Sequence, residues 1–170
     1  MTSRFVSEDP VELVQAERDV RARIGDHAFD FEAMAVISNI YRAANVVRNH
    51  MEQKVLYDYE LSWGAFTVLF VLWIWGDQET RHLAAEAGVT KGTLTGVLKT
   101  LEGRGFVRRS PHDADRRLVV VHLEPAGRQA MEDLFPRFNQ QEAFASSNLD
   151  PEDRDRLAAL LRVVIRTVQG

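Results

Sequence analysis

The stretch Trp63 to Trp75 reads WGAFTVLFVLWIW, and nearly every position in it is apolar. A helix with one apolar stripe lies on a core, whereas one apolar nearly all round must be covered on most of its sides. Its longest apolar part, Ala65 to Trp75 broken only by Thr67, is about eleven residues, well short of the roughly 20 that cross a bilayer. The rest of the chain must therefore wrap this segment. Ser62 before it and Gly76 after it are suited to start and stop a helix.

The surrounding segments read as further helices and one hairpin. Asp9-Pro10 has the form of an N-cap and a first helical residue, and Val11, Val14, Val20 and Ile24 predict a helix ending near Gly25. Met34, Ile37, Tyr41, Ala44, Val47 and Met51 recur at helical spacing and predict a longer helix from about Phe29 to Leu56. A short helix is expected over Thr80 to Ala87, a turn at Gly88-Val89, and a helix capped by Thr90 and running through Leu101. Phe106 to Ser110 and Leu118 to Leu123 are short and rich in β-branched or aromatic residues, with the polar tip His112 to Asp115 between them, and predict a β-hairpin. Pro125 opens a helix over about 126–145. Asp150-Pro151 repeats the cap-and-proline pattern before a last helix striped by Leu157, Leu160, Leu161, Val164 and Val168. The terminal stripes exceed what one small core can cover, so pairing with a second copy is expected.

The chain carries net charge −4, with 21 basic and 25 acidic residues. Divided along its length, only residues 90–117 are basic, with 7 bases against 3 acids. An acidic body with one basic block can steer an anionic partner to that block. Cysteine is absent, which excludes disulfides and thiol chemistry. The N-terminus, with Glu8 and Asp9 close behind Met1, lacks the basic-then-apolar pattern of a signal peptide, so a cytoplasmic location is expected, with no membrane partner. His27, His82, His112 and His122 show no tight ligand spacing, and neither a metal nor any other cofactor is expected. No nucleophile, base and orienting group recur at motif spacing, so the chain does not read as an enzyme.

The basic block coincides with the second helix and the hairpin. Leu83, Ala84 and Ala87 face inward on the first helix and Val89 plugs the turn. Leu94, Val97, Leu98 and Leu101 face inward on the second helix, leaving Lys91, Gly92, Thr93, Thr95, Gly96 and Lys99 outward. A short, polar, cationic face is what a helix entering a DNA major groove requires. Two glycines, each about 1 kcal/mol worse than alanine in a helix interior, have little purpose in a purely structural helix. A basic hairpin tip after such a helix makes a winged helix, whose tip lies along the minor groove, where narrowing concentrates negative potential on inserted arginine. Arg104, Arg108 and Arg109 would flank it as phosphate contacts, with Arg116 and Arg117 at the tip.

On the segments HLAAEAGVTKGTLTGVLKTLEGRGFVRR and DADRRLVVVHLEPAG, the chain resembles the MarR family of bacterial transcriptional regulators. The resemblance is densest over residues 61–135 and, with the flanking helices, extends over nearly the whole chain. It implies a mainly α fold with a small β-hairpin wing: dimerisation helices over 1–60 and 125–170 around a winged helix-turn-helix over 61–124. It implies that Arg117 enters the minor groove, that Asp115, in the Asp-x-Arg wing motif, orients it, and that Thr90, Lys91, Thr93 and Thr95 lie on recognition-helix positions beside Lys99. The partners implied are double-stranded DNA, a second copy of the chain, and a small aromatic or phenolic effector. Trp63, Phe66, Phe70 and Trp73, all within about a quarter of the helix circumference, would line an effector cleft, with Tyr41, Asn45 and Arg48 as polar partners. The same stripe also fits an ordinary core. Three features depart from the family pattern. Gly96 stands where many members carry a basic residue, Glu124 replaces a capping threonine, and the N-terminal segment is longer, as in a subset with an extra helix. That helix has no tryptophan and Thr67 replaces the aspartate of urate-responsive members, so urate is not the expected effector. A repressor of a palindromic operator is the leading reading. A DNA-binding regulator without an effector and a winged-helix protein-interaction module are compatible with the same residues.

Overall fold

The computed structural model describes residues 10–25, 28–112 and 114–170. Asp9, His27 and Asp113, which figured in the expectations for the first helix, the histidines and the hairpin tip, lie outside the described residues. The elements follow in the order α1 (Pro10–Ile24), α2 (Phe31–Lys54), a 3-10 turn (Leu56–Tyr59), α3 (Trp63–Trp75), β1 (Gln78–Glu79), α4 (Thr80–Glu86), α5 (Lys91–Gly103), β2 (Val107–Pro111), β3 (Val119–Leu123), α6 (Pro125–Ala145) and α7 (Pro151–Gln169). The chain divides into two units, Met1–His50 and Met51–Gly170.

The first unit holds α1 and most of α2. Asp30 caps α2, its carboxylate accepting from the Ala33 amide at 2.8 Å, and Asn39 donates to Glu17 across the pair at 2.7 Å. The predicted apolar stripe of α2 is exposed at Met34, Ile37, Tyr41 and Val47. The helix ends two residues earlier than expected. Val55, just before the following 3-10 turn, and Leu56, its first residue, are buried, and Glu60 closes that turn with φ 52°.

In the second unit α3 is the post on which the rest is hung. Ala65, Phe66, Val68, Leu69, Val71 and Leu72 are all buried, and α3 packs against α4, α5, β3 and α6. Its N-terminus is held twice: Ser62 accepts from Ala65 (3.2 Å) and the Glu52 carboxylate from the Trp63 amide (3.1 Å). These bonds satisfy amide groups that otherwise lack partners at a helix start. Leu69, Leu72, Leu83, Leu98, Leu101, Met131 and Leu134 form a core in which no described polar residue is buried. Each such side chain contributes on the order of 2 kcal/mol from burial.

The hairpin is part of a three-stranded antiparallel sheet ordered β1-β3-β2. Sequence periodicity missed β1, because two polar residues carry no alternation to detect. Its pairing, Gln78 with Val121 and Glu79 with Val120, is tertiary in origin. The wing base is fastened to α6 at Gly127. This glycine is buried in the first turn of α6, and a Cβ there would overlap the Phe106 carbonyl oxygen and Leu123. The same carbonyl accepts from the Glu124 amide at 3.0 Å.

Because the Phe106 oxygen is backbone and cannot swing aside, Gly127→Ala should destabilise the protein by about 1–3 kcal/mol, despite the better helix propensity of alanine. Thermal denaturation should show a lowered Tm, and an unchanged or raised Tm would mean that the junction is looser than described.

Candidate nucleic-acid interface

The α4–turn–α5 unit is assembled as its sequence predicts. Leu83, Ala84 and Ala87 are buried below α4, and Leu94, Leu98 and Leu101 below α5, with Val89 and Val97 packed partly buried against them. The turn closes through Gly88, at φ 65°, a left-handed backbone that glycine adopts without strain. Gly64 on α3 faces both Val89 and Val97, each 3.7 Å from where its Cβ would stand, so the unit sits close on α3.

Lys91, Gly92, Thr93, Thr95, Gly96 and Lys99 are all exposed. At about 100° per residue, Gly92, Gly96 and Gly103 lie opposite the buried leucines and form the middle of the outward face, with Lys99 beside them. The polar side chains therefore stand at the edges of a ridge that is backbone at its crest. The hydroxyls are more committed than their residue types suggest. Thr95 donates to the Lys91 carbonyl (2.9 Å), which leaves its oxygen and methyl for a base edge. Thr90 caps α5 by accepting from the Thr93 amide (3.1 Å), and the two hydroxyls share one hydrogen bond of 2.9 Å. One proton of that pair is left for an outside acceptor.

The arginines divide into two classes. Arg109 is bound to Glu102 on the last turn of α5: its Nε lies 3.0 Å from Oε1, its Nη2 reaches Oε2, and its amide donates to Oε1 at 3.2 Å. Arg108 donates to Glu124 at 3.0 Å. Arg104 donates to the Glu60 carbonyl at 3.1 Å and lies 4.4 Å over the Phe106 ring. All three expected phosphate contacts thus have internal partners, and those of Arg108 and Arg109 brace the wing. Glu124 makes no side-chain cap on α6, in keeping with the departure noted in the sequence, and its carboxylate reaches across the hairpin instead. No sequence motif marks Glu102, an acid in the last turn of α5 and seven residues before its arginine.

The tip behaves otherwise. Asp115 accepts from the Arg117 amide (3.0 Å) and from its Nε (3.2 Å) and Nη2 (3.4 Å), while the Arg117 side chain stays 91% exposed. The Arg117 amide, and after it the guanidinium, holds the Asp115 carboxyl below the usual carboxylate range. Arg116 is exposed beside it.

The effector residues fall in both units. In the first, Tyr41 is exposed and Arg48 donates to Asn45 at 3.1 Å. In the second, the aromatic stripe meets two rings that the sequence reading did not include. Phe66 stacks on Phe138 with centroids 4.2 Å apart, Phe70 on Phe135 at 5.6 Å, Trp73 lies 5.3 Å from Phe135, and Trp63 lies 6.1 Å from Phe138. Phe66 is buried and the other three are partly buried against the core.

The model of the MarR family matches residues 61–119, the span from the start of α3 to the return strand of the wing. The HTH-type transcriptional regulator YwaE of Bacillus subtilis (strain 168) is 37% identical over 156 residues, covering 90% of this chain and 91% of that protein. The chain belongs to the MarR family. It is a DNA-binding transcriptional regulator and not an enzyme. Among solved MarR-type structures, it is similar to Bordetella bronchiseptica BpsR, whose DNA binding is regulated by 6-hydroxynicotinic acid, at 28% identity and TM-score 0.70, over 76% of this chain and 97% of that one. Its fold also matches Streptomyces coelicolor Sco3205, a MarR family regulator in complex with DNA, with TM-score 0.76 and 21% identity, over 86% and 93% of the two chains. Among the described residues, no helix is long and apolar enough to cross a membrane.

Two outcomes follow from the local geometry. A Cβ at Gly96 would meet nothing within 4 Å, so Gly96→Ala should raise stability by about 1 kcal/mol in thermal denaturation, and a loss would reveal a contact that needs glycine. Hydrogen bonding by Arg109 lowers the Glu102 carboxyl below its ordinary range, so the folded protein holds that proton less tightly than the unfolded chain. The pair's contribution is then full above the ordinary glutamate value of about 4.3 and is lost as pH falls through the lower folded value. Glu102→Gln should lose at most about 1 kcal/mol at neutral pH, since the pair is partly solvated, and its deficit relative to the parent should shrink below about pH 4.

Proposed function

We propose that this MarR-family regulator is a homodimeric, cytoplasmic repressor of a palindromic operator, released by a small aromatic or phenolic ligand. The observation that carries the reading is the wing tip, where an arginine almost fully in solvent is aimed by a neighbouring carboxylate. A carboxylate beside a cation weakens its attraction for phosphate, so its use here is direction, which suits an arginine that enters a narrow minor groove. The glycine crest of α5 suits the major groove, with Thr90, Lys91, Thr93, Thr95 and Lys99 along its edges. Lys91, Lys99, Arg116 and Arg117 are the principal cations for the backbone; Arg104, Arg108 and Arg109 contribute less, because each is already engaged within the chain.

Dimerisation by residues 1–60 and 125–170, around a DNA-binding part at 61–124, is supported by what the terminal helices leave uncovered. No residue of α7 is buried, and Leu157, Leu160, Val163, Ile165 and Val168 are exposed along it. Two copies related by a twofold axis would place two α5 helices in half-sites about one helical turn apart. An effector at the partly buried aromatic residues Trp63, Phe70 and Trp73 would act by preferring a conformation that binds DNA poorly. Phe66, stacked under Phe138, would serve as floor. The regulated DNA binding of BpsR supports a ligand of aromatic acid type for this chain as well.

Selection from a random duplex pool should return a palindrome, and the complex should contain two protomers by light scattering. Log affinity should fall steeply with log salt, with a slope on the order of −5 to −7 for a dimer using about four cations per protomer. Arg117→Ala should weaken operator binding about tenfold to a hundredfold while leaving the dimer folded. Absence of duplex binding at low salt would overturn the reading.

A further inference from the structure

On the face of the sheet away from the buried Val107 and Val121, three side chains are joined in a line. His122 on β3 has its Nδ1 2.6 Å from the Asp77 carboxylate and its Nε2 2.8 Å from the Ser110 hydroxyl. Asp77 lies between Gly76, the C-cap of α3, and β1; Ser110 lies on β2. The line therefore ties both long strands of the wing to the end of the buried α3 helix. The imidazole is four-fifths buried, its side chain 21% exposed. Its cross-strand neighbour Arg108 is bonded to Glu124.

The order of groups is that of a hydrolytic relay, but the backbone beside Ser110 is unsuited to such chemistry. The Arg109 amide is bonded to Glu102, and Pro111 has none, so no pair of donors is aimed at a tetrahedral oxyanion there. The hydrogen-bond chemistry fits a mechanical role better. An ionised Asp77 only accepts, so Nδ1 carries a proton. Nε2 then accepts from the Ser110 hydroxyl when the ring is neutral, or donates to it when the ring is charged. All three groups stay joined in either state of the histidine.

We propose that Asp77, His122 and Ser110 are positioning residues that set the angle at which the wing presents Arg117 to DNA. The inference rests on the reading of Arg117 as the minor-groove residue. The sheet alone constrains that angle weakly, because β1 contributes only two residues of pairing. From His122 to Arg117 is five residues, a lever of about 16 Å at roughly 3.3 Å per residue, so a tilt of about 10° at the base moves the tip by roughly 3 Å. That displacement exceeds the tolerance of a hydrogen bond. The relay thus makes the position of the tip depend on the end of α3, the helix whose aromatic side chains pack on α6.

The test compares two footprints on one duplex recovered by selection: hydroxyl-radical protection, which reports the wing in the minor groove, and guanine N7 methylation protection, which reports α5 in the major groove. His122→Ala at saturating protein should lose the wing protection, keep the N7 protection, and bind about tenfold more weakly. His122→Asn, which restores a donor toward Asp77, should recover most of the wing protection. Should His122→Ala fail to fold, Asp77→Ala and Ser110→Ala carry the same expectation. Equal loss of both protections, or wing protection retained in all these variants, overturns the positioning role. Arg117→Ala, run in parallel, separates the two layers. If it leaves the wing protection intact, the minor-groove reading fails and takes this inference with it. If it abolishes that protection while the relay variants keep it, the relay alone is wrong.

Discussion

Everything in the second unit depends on covering α3. Val68, Leu69, Val71 and Leu72 of α3 are nearly inaccessible and only its C-terminal Ile74 and Trp75 are exposed, so α4, α5, β3 and α6 must meet it from several directions. Burial of apolar surface has no direction of its own, and the direction comes from local details. Gly64 lets Val89 and Val97 come close, Glu52 and Ser62 fasten the N-terminus, and Gly127 brings α6 against the Phe106 carbonyl. The α5 helix is therefore held at a set distance and angle by α3.

The second theme is how an acidic chain handles its arginines. Four arginines near the wing have a carboxylate or carbonyl of their own: Glu102 for Arg109, Glu124 for Arg108, the Glu60 carbonyl for Arg104 and Asp115 for Arg117. Solvated pairs of this kind contribute little to stability. Their use is geometric, because a guanidinium has several rotatable bonds and a paired one has few orientations left. The contacts of Arg108 and Arg109 brace the wing, that of Arg104 ties the end of α5 to the 3-10 turn, and Asp115 restrains Arg117 at the tip. The arrangement gives up some attraction for phosphate in exchange for orientation, consistent with recognition in which position matters more than total charge.

Most of this fold was legible because helix signals are local. The caps at Ser62, Thr90 and Asp150 accept the amides that their sequence positions imply, and the inward residues of α4 and α5 lie where 3.6-residue periodicity puts them. The legible signals failed where a contact spans distant segments. β1 exists only because β3 is beside it, the α2 helix stops at Lys54 because Val55 and Leu56 are drawn into the core, and Phe135 and Phe138 joined the aromatic stripe from more than sixty residues away. Histidine spacing argued against a metal, yet spacing has no means of pairing His122 with Asp77 across 45 residues.

The amino-acid sequence by itself determined the helices, the turn, the hairpin, the family and the Asp115–Arg117 pair, because each rests on residues within a few positions of one another. Only the tertiary structure decided which arginines are engaged within the chain and that the wing is tied to the end of α3. Those outcomes depend on which side chains come within about 3 Å after the core closes, and that is set by the packing around α3.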